Sequence, residues 1–242
     1  MIKKIKMKMK KIEIFKNGED NGYLGNNDNW WFDKNHTDSF ELFDLDGFYS
    51  EDYFKEDHIK GDMVCNYVNT IKKYYYNITK KELKSVFEAG CAGGWFTKEF
   101  INNNIDVIAL EGSLCGYKSC LEKGISTSNI IRHDLRNEIN LNKKFDIACC
   151  TEVAEHIEPP FSSQLILNLV RHSDLIWFSF EEPGTNENHY HHCNEQPEKF
   201  WINILDFYGY NYIRVPKEVY DTFSGRGTHL FYNKKIYKNE FN

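Results

Sequence analysis

The sequence predicts an α/β fold in which a doubly wound, mostly parallel sheet is covered by helices on both faces. From residue 84 onward, short apolar strands alternate with amphipathic helices, which is the order expected of βα units. Some strands are apolar at every position, as in Ile147-Ala148-Cys149-Cys150. Such runs are typical of strands buried on both faces, so we expect the sheet to lie between two layers of helices.

The elements follow from the apolar spacing and its interruptions. A first helix is predicted over residues 57–76, where apolar side chains recur at intervals of three and four. The predicted strands are 85–89, 105–111, 128–133, 144–150 and 174–180, followed by two near 211–216 and 227–233. The predicted helices among them are 95–103, 114–122, 162–171 and 196–208. We therefore expect one domain over residues 81–242, preceded by an N-terminal extension over residues 1–80.

The composition indicates a globular protein. The chain has 242 residues, of which 41% are hydrophobic and 16% aromatic, enough for one ample core. No apolar run reaches the roughly 20 residues of a membrane span, so no membrane association is expected. The net charge of −6 argues against a dedicated nucleic-acid surface. The seven cysteines form no Cys-x-x-Cys pair, which favours a reducing, cytoplasmic compartment.

A loop of small residues follows the first strand of the predicted sheet. Residues 88–94 read Glu-Ala-Gly-Cys-Ala-Gly-Gly, and the next helix begins at Trp95. Glycine lets the backbone turn tightly and approach a ligand closely. Twenty-one residues after Gly90, the second strand ends in Glu111, about where nucleotide-binding α/β folds hold the hydroxyls of a ribose. The loop is therefore predicted to bind a nucleoside cofactor.

The residues of this loop favour S-adenosylmethionine over a phosphate-bearing cofactor. A dinucleotide fingerprint would need glycine where this chain has Ala92 and Trp95. Glu88 places a negative charge where a pyrophosphate would need hydrogen-bond donors. S-adenosylmethionine has no phosphate and carries a sulfonium and an ammonium group, both of which suit a neighbouring carboxylate.

On these residues the chain resembles the class I S-adenosylmethionine-dependent methyltransferases, whose first motif runs acidic-x-Gly-x-x-x-Gly. Glu88, Gly90 and Gly94 match it, whereas the frequent middle glycine is Ala92 here. The resemblance implies a Rossmann-like sheet with a seventh, antiparallel strand, which residues 228–232 would supply. It also implies that Asp134, after the third strand, binds the adenine amino group. The residues expected to hold the cofactor are Glu88, Gly90, Cys91, Gly94, Glu111, Asp134, Leu135 and Glu152.

A second motif follows the fourth predicted strand. Glu152, Glu155 and His156 are spaced i, i+3, i+4, which predicts three ligand-type side chains on one helical face. Two carboxylates and an imidazole suit a divalent ion such as Mg²⁺ or Mn²⁺. Glu-x-x-Glu-His at this place resembles the metal-dependent O-methyltransferases, including small-RNA 2′-O-methyltransferases and catechol O-methylating enzymes of the ubiquinone pathway.

In the RNA enzymes a histidine after the fifth strand completes the metal shell, and this chain has a histidine-rich segment there. Of its members, His192 is the favoured ligand, ahead of His191 and then His189. The metal-free alternative stays open, because a Glu-His pair also occurs at this place in methyltransferases without a metal. In that case His156 or His192 would act as a general base, whereas in the metal case both are ligands. The catalytic candidates are accordingly Glu155, His156 and His192.

The segment after the histidines resembles the His-His-x-Asn-x-Gln…Trp stretch of methyltransferases found with bacterial and viral glycan-synthesis enzymes. Asn194 and Gln196 are further site candidates, whereas Phe200, Trp201 and Phe207 have the spacing of a core face.

The leading expectation is an O-methyltransferase acting on a sugar or glycan hydroxyl. The aromatic-rich residues 17–56 are expected to form the acceptor pocket, because aromatic faces stack on sugar rings. Three alternatives are methylation of an RNA 2′-hydroxyl, methylation of a phenol or catechol, and a catalytically silent module that only binds S-adenosylmethionine. The acidic net charge weakens the RNA alternative.

Overall fold

The computed structural model describes residues 44–55, 61–184, 192–216 and 227–237. Seven strands are present in these ranges. They are β1 (Ser85–Ala89), β2 (Asp106–Glu111), β3 (Ile130–Arg132), β4 (Ile147–Cys150), β5 (Leu175–Phe180), β6 (Tyr210–Arg214) and β7 (Gly227–Asn233).

Seven α-helices accompany the strands within the described ranges. They are α1 (Leu45–Phe48), α2 (Glu51–Lys55), α3 (Gly61–Thr79), α4 (Trp95–Asn102), α5 (Leu114–Glu122), α6 (Ser162–His172) and α7 (Glu198–Phe207). Short 3₁₀ helices lie at Ala154–His156 and Pro159–Phe161. None of the described helices has both the length and the apolar character needed to cross a bilayer.

The strands form one sheet in the order β3-β2-β1-β4-β5-β7-β6. β7 is antiparallel to β5 and β6, with Trp177 opposite Leu230, and the neighbouring pairs among β1 to β5 are parallel. The predicted doubly wound, mostly parallel sheet with a seventh, antiparallel strand is confirmed.

Helices cover both faces of this sheet, as the continuous apolar strands predict. Successive residues of β1 point to opposite faces, so Val86 packs on the side of α3 and α4, and Phe87 packs on the side of α6 and α7. The buried stripe of α7 is formed by Trp201 and Leu205, which are fully buried and one helical turn apart.

Several predicted boundaries differ from the observed ones. The fourth strand begins at Ile147 rather than at residue 144, because the Asp146 carboxylate accepts hydrogen bonds from the backbone N–H groups of Lys84 and Ser85, at 2.7 and 2.9 Å. Phe145 forms only an isolated bridge with Ser173. The predicted start of the first helix at residue 57 lies outside the described residues, and the helix continues to Thr79.

The prediction that Phe207 belongs to a core face is wrong. Its side chain is 84% exposed, whereas Trp201 is fully buried. Six residues separate the two along α7, which places them about 120° apart around the helix axis. Phe207 is the last residue of α7 and lies off the stripe that contacts the sheet.

Candidate active site

A cleft opens at the carboxyl ends of β1 to β4. The helices that follow β1 and β4 pass to opposite faces of the sheet, and this divergence leaves a crevice. The empty volume of the crevice is about 680 Å³, and this volume includes space that is open to solvent. Its lining residues are Leu45, Tyr49, Tyr53, Phe54, Gly90, Ala92, Glu111, Gly112, His133, Asp134, Leu135, Thr151, Glu152, Val153, His156 and Ile157. This lining includes six predicted site residues: Gly90, Glu111, Asp134, Leu135, Glu152 and His156.

The loop after β1 has the tight turn that its glycines predict. Gly90 has a φ of +81°, and its N–H and that of Cys91 both donate to the carbonyl oxygen of Leu110, at 3.0 and 2.9 Å. A Cβ at position 90 would lie 2.5 Å from Cγ2 of Val153. Both the backbone angle and the neighbouring side chain therefore require glycine here.

The loop accommodates Ala92 in place of the middle glycine of the motif, whereas Gly94 at its end cannot be replaced. Ala92 has a φ of +47° and Gly94 a φ of +78°. A Cβ at Gly94 would lie 2.7 Å from Sγ of Cys120, whereas Ala92 carries its Cβ at a left-handed backbone cost of roughly 1–2 kcal/mol. The loop thus keeps its conformation despite the departure from the motif.

Glu88 lies behind the loop and does not line the cleft. Its side chain is buried, and the Thr97 hydroxyl donates to Oε2 at 2.6 Å. Burial raises the pKa of Glu88 to about 7, with the Thr97 hydrogen bond opposing the shift and the charge of Glu111 adding to it. Cys91 and Gly94 also lie outside the cleft lining, so these three predicted cofactor residues shape the loop from behind.

Glu111 is buried at the end of β2 and lines the cleft. Ser113 donates to its Oε1 through both the backbone N–H and the hydroxyl, at 2.8 and 2.7 Å. Burial raises the pKa of Glu111, and hydrogen bonds from Ser113 oppose that shift. A Cβ at Gly116 would lie 2.8 Å from Cδ of Glu111, so the glycine provides space for the carboxylate. Glu111 is thus fixed with one oxygen held by Ser113.

Asp134 lines the cleft next to Leu135, but its carboxylate is engaged by an arginine. Arg136 donates to both oxygens of Asp134, with Nε to Oδ1 at 2.9 Å and Nη2 to Oδ2 at 2.8 Å. The same guanidinium pairs with the buried Glu158 at 2.8 Å. Arg136 and Glu158 could not be predicted as site residues, because 22 residues separate them and no local motif contains the pair.

Helices α1 and α2 cover part of the cleft, and the described part of the N-terminal extension therefore borders the site. Asp46 anchors α1 to the rest of the domain. Its carboxylate accepts a hydrogen bond from the backbone N–H of Leu114 at 2.7 Å and pairs with Arg132 at 2.6 Å. Tyr49 and Tyr53 face the cleft, with ring centroids 5.0 Å apart. Burial raises the pKa of both phenols, which keeps them neutral. The aromatic residues at 30–32, 40 and 43 lie outside the described residues.

The expectation that Glu152, Glu155 and His156 share one helical face is wrong. Glu152 has a φ of +52°, outside helical conformation, and only the three residues Ala154–His156 form a 3₁₀ turn. Ser179 fixes Glu152, accepting from its backbone N–H at 3.1 Å and donating to Oε1 at 2.7 Å. Burial raises the pKa of Glu152 to about 6.

Glu155, His156 and His192 nevertheless come together across the end of the sheet. One potential ligand atom from each lies within 4.8 Å of the others, and the two imidazole centroids are 4.7 Å apart. Glu155 is 1% exposed, and neither of its carboxylate oxygens accepts a hydrogen bond from a donor in the described part of the chain; its side-chain neighbour is the carboxyl group of Glu152. Burial raises the pKa of Glu155 strongly, with the nearby charge of Glu152 adding to the shift.

This donor set fits a divalent metal ion. Two imidazole nitrogens and a carboxylate are common ligands of first-row ions, and a buried carboxylate without a partner gains most from a cation. Ligands on opposite sides of an ion at about 2.1 Å are roughly 4.2 Å apart, so a small contraction would suffice. Glu152 lies outside this group of three and is the neighbouring carboxylate.

The segment that carries His192 is anchored to the same turn. The backbone N–H groups of Cys193 and Asn194 both donate to the carbonyl oxygen of Glu155 at 2.9 Å. Asn194 donates to Ser162, and Gln196 donates to Asn194, each at 2.9 Å. Asn194 and Gln196 therefore brace the segment and do not line the cleft, unlike the sequence expectation. His189 and His191 lie outside the described residues.

Comparisons with known proteins agree with this fold. No protein-family model matches the chain. It is 28% identical over 125 residues to a ubiquinone biosynthesis O-methyltransferase of Rickettsia typhi, covering 48% of this chain and 44% of the relative. It is 26% identical over 145 residues to the ubiquinone biosynthesis O-methyltransferase of Rickettsia canadensis, covering 58% of each. The chain thus spans about half the length of these curated relatives.

Two solved structures share the fold across most of the chain. A sugar N-methyltransferase of Streptoalloteichus, KedS8, superposes with a TM-score of 0.62 at 13% identity, covering 81% of this chain and 97% of that protein. The magnesium protoporphyrin IX methyltransferase of Synechocystis, with bound S-adenosylmethionine, gives a TM-score of 0.57 at 16% identity, covering 81% of this chain and all of that one, 100%.

Proposed function

We propose, from the class I methyltransferase fold of this chain, that it transfers the methyl group of S-adenosylmethionine to a hydroxyl of a sugar or glycan. The resemblance read from the sequence is confirmed at the level of the fold. One observation carries the proposed activity: the Gly90 loop, Glu111 and Asp134 share a single cleft with His156. A cofactor held by the first three residues would have its reactive end beside the imidazole.

Different residues of the cleft would bind different parts of the cofactor. Glu111, with one oxygen held by Ser113, would accept hydrogen bonds from the ribose hydroxyls. Asp134 and the backbone around Leu135 would face the adenine, with Arg136 fixing the orientation of the Asp134 carboxylate. The Gly90 loop would contact the methionine part, whose positive charges are attracted by Glu88 behind it.

Methyl transfer from a sulfonium is an in-line displacement, so the enzyme must align an acceptor oxygen with the methyl group and accept its proton. Alignment alone can contribute several orders of magnitude in rate. Without a metal, His156, which lines the cleft, would accept this proton, whereas in the metal case His156 is a ligand and the proton would pass to solvent. A divalent ion such as Mn²⁺ or Mg²⁺, held by Glu155, His156 and His192, would lower the pKa of the acceptor hydroxyl when bound.

The charges around the turn support the metal part of the proposal. Glu152 and Glu181 both raise the pKa of Glu155, so three carboxylates converge in a region from which water is largely excluded. A buried group of like charges is stabilised by a cation. Glu152 lies outside the group of three potential ligands, and Ser179 donates a hydrogen bond to its Oε1.

The acceptor pocket would lie beside Tyr49 and Tyr53. Tyr49 also meets the ring of His156 edge-on, with centroids 6.3 Å apart. Aromatic faces pack well against the C–H groups of sugar rings, which favours a sugar or glycan. A phenol or catechol is the second candidate, because the curated relatives are ubiquinone biosynthesis O-methyltransferases. The net charge of −6 disfavours RNA.

A transfer assay with three acceptor classes tests this proposal. The purified chain would be incubated with S-adenosylmethionine and Mn²⁺ together with nucleotide sugars and oligosaccharides, catechols, or short RNAs. Mass spectrometry would then detect the methylated product. We expect methylated sugar, and loss of product on chelation and in Glu155→Gln. Product from catechol alone would select the second candidate, and cofactor binding without transfer to any class would identify a silent module.

A further inference from the structure

We propose that Glu195 is a positioning residue that holds His192 in the tautomer and orientation needed to bind a metal ion. The inference rests on the metal site of the proposed function. Glu195 lies between Asn194 and Gln196, the two neighbours that the sequence favours as site candidates.

The geometry of the pair determines which nitrogen of His192 would bind a metal ion. Nδ1 of His192 lies 2.9 Å from Oε1 of Glu195, and both side chains are 7% exposed. A carboxylate accepts hydrogen bonds, so Nδ1 must carry the proton. The lone pair of the neutral ring is then on Nε2, which is the arrangement of carboxylate–histidine–metal groups.

Other contacts already anchor the segment, so Glu195 is not needed to hold the backbone. Cys193 and Asn194 donate to the carbonyl oxygen of Glu155, and Asn194 also bonds Ser162. By contrast, the one side-chain partner of Glu195 within the described ranges is His192. A buried carboxylate directed at a single imidazole fixes the orientation of the ring.

The chain offers a second carboxylate–imidazole pair outside the cleft lining, in which the carboxylate of Glu198 also pairs with Arg214. Nε2 of the buried His229 lies 2.6 Å from Oε1 of Glu198. Neither residue lines the cleft, and neither belongs to the potential metal ligands. Removing the charge of Glu198 therefore controls for the general effect of breaking a carboxylate–imidazole pair.

The test is a Mn²⁺ titration of the full chain, followed by the electron paramagnetic resonance signal of the free ion. Wild type would be compared with Glu195→Ala, Glu195→Gln, His192→Ala and Glu198→Gln. We expect Glu195→Ala to weaken Mn²⁺ binding by about 10- to 100-fold. Glu195→Gln, which keeps an acceptor oxygen, should fall between Glu195→Ala and wild type. Affinity for S-adenosylhomocysteine, measured by calorimetry, should stay unchanged in all variants and confirms that the fold is intact.

The outcomes separate this inference from the proposed function. Wild-type Mn²⁺ affinity in Glu195→Ala, or an equal loss in Glu198→Gln, overturns the role of Glu195 while His192→Ala still reports on the site. If Glu195→Ala does not fold, Glu195→Gln decides: a loss supports the role and wild-type affinity overturns it. If the wild type binds no Mn²⁺, the metal site and the role of Glu195 both fail, and the transfer assay alone then judges methyl transfer.

Discussion

The hydroxyl of Thr97 donates a 2.6 Å hydrogen bond to Glu88, two residues before the turn at Gly90. This contact favours the ionised carboxylate, yet burial dominates and raises the pKa of Glu88 to about 7, with Glu111 adding to the shift. Glu88 therefore titrates near neutrality before ligand binds, and its charge responds to a cation that binds at the cleft side of the loop.

We predict that affinity for S-adenosylmethionine rises with pH and levels off above about pH 7. A cationic ligand favours ionised Glu88, so binding lowers its pKa and releases a proton. At a pH below the pKa of Glu88 in the ligand-free protein, binding must also remove the proton from Glu88. The affinity is then lower, by about tenfold for each unit by which binding lowers that pKa. Calorimetry in buffers of different ionisation enthalpy measures both the affinity and the proton release.

Two controls sharpen this measurement. S-adenosylhomocysteine lacks the sulfonium charge and should show a shallower pH dependence than S-adenosylmethionine. Glu88→Gln should bind more weakly above pH 7 and lose most of the slope. A variant with the same slope as wild type would show that another group titrates.

We predict that Gly90→Ala lowers both the free energy of unfolding and the affinity for S-adenosylhomocysteine much more than Gly209→Ala does. Both glycines have a positive φ, +81° and +86°, so each alanine costs roughly 1–2 kcal/mol of backbone strain. At Gly90 the new Cβ would also collide with Val153 at 2.5 Å, whereas nothing lies within 4 Å at Gly209. Urea unfolding and S-adenosylhomocysteine binding compare the two. Equal losses of stability, with binding intact in both, would mean that the loop adjusts without effect on the cleft.

Much of the fold could be predicted because strands that are buried on both faces appear in the sequence as continuous apolar runs. Ile147 to Cys150 and Leu175 to Phe180 form β4 and β5. The predictions were wrong where a side chain takes backbone hydrogen bonds and where a residue lies off the stripe of its helix that contacts the sheet. Asp146 takes the amides that would have extended β4, and Phe207 lies beyond the contact face of α7.

The site could be predicted only as far as local motifs reach. The acidic and glycine residues at strand ends are visible in sequence, and six of the predicted site residues line the cleft. The turn at Glu152 depends on Ser179, 27 residues away, and so the spacing alone suggested a false helix. Arg136 and Glu158 pair across 22 residues, a separation that no local motif contains. Glu195 pairs with His192 only three residues away, but this segment is not helical, so the spacing alone does not predict the contact.

We predict opposite effects of neutralising two buried carboxylates on stability without metal. Neither oxygen of Glu155 accepts a hydrogen bond from a donor within the described residues, and the charge of Glu152 lies nearby, so Glu155→Gln should stabilise the metal-free protein by about 1–3 kcal/mol. Glu158 pairs with Arg136 at 2.8 Å, so Glu158→Gln should destabilise it by about 3 kcal/mol. Denaturant unfolding in a chelator measures both. Destabilisation by Glu155→Gln would show that its carboxylate is satisfied without a cation.

We predict that Asp46 controls how long the cofactor stays in the cleft. Asp46 joins α1 to Arg132 and to the backbone of Leu114, beside the lining residue Leu45. Asp46→Ala should raise the dissociation rate of S-adenosylhomocysteine several-fold, measured by stopped-flow fluorescence. Asp106→Ala removes the Lys143 pair at the opposite end of β2, with side chains of similar exposure, and should leave the rate unchanged. Equal rates in both variants would show that α1 does not retain the ligand.

The most direct test of the central claim is a calorimetric titration of the purified chain with S-adenosylhomocysteine. The proposed site predicts one bound molecule per chain, with affinity reduced at least tenfold by Glu111→Gln because the ribose loses its charged acceptor. No detectable binding of S-adenosylhomocysteine or S-adenosylmethionine, together with tight binding of NAD or ATP, would contradict it.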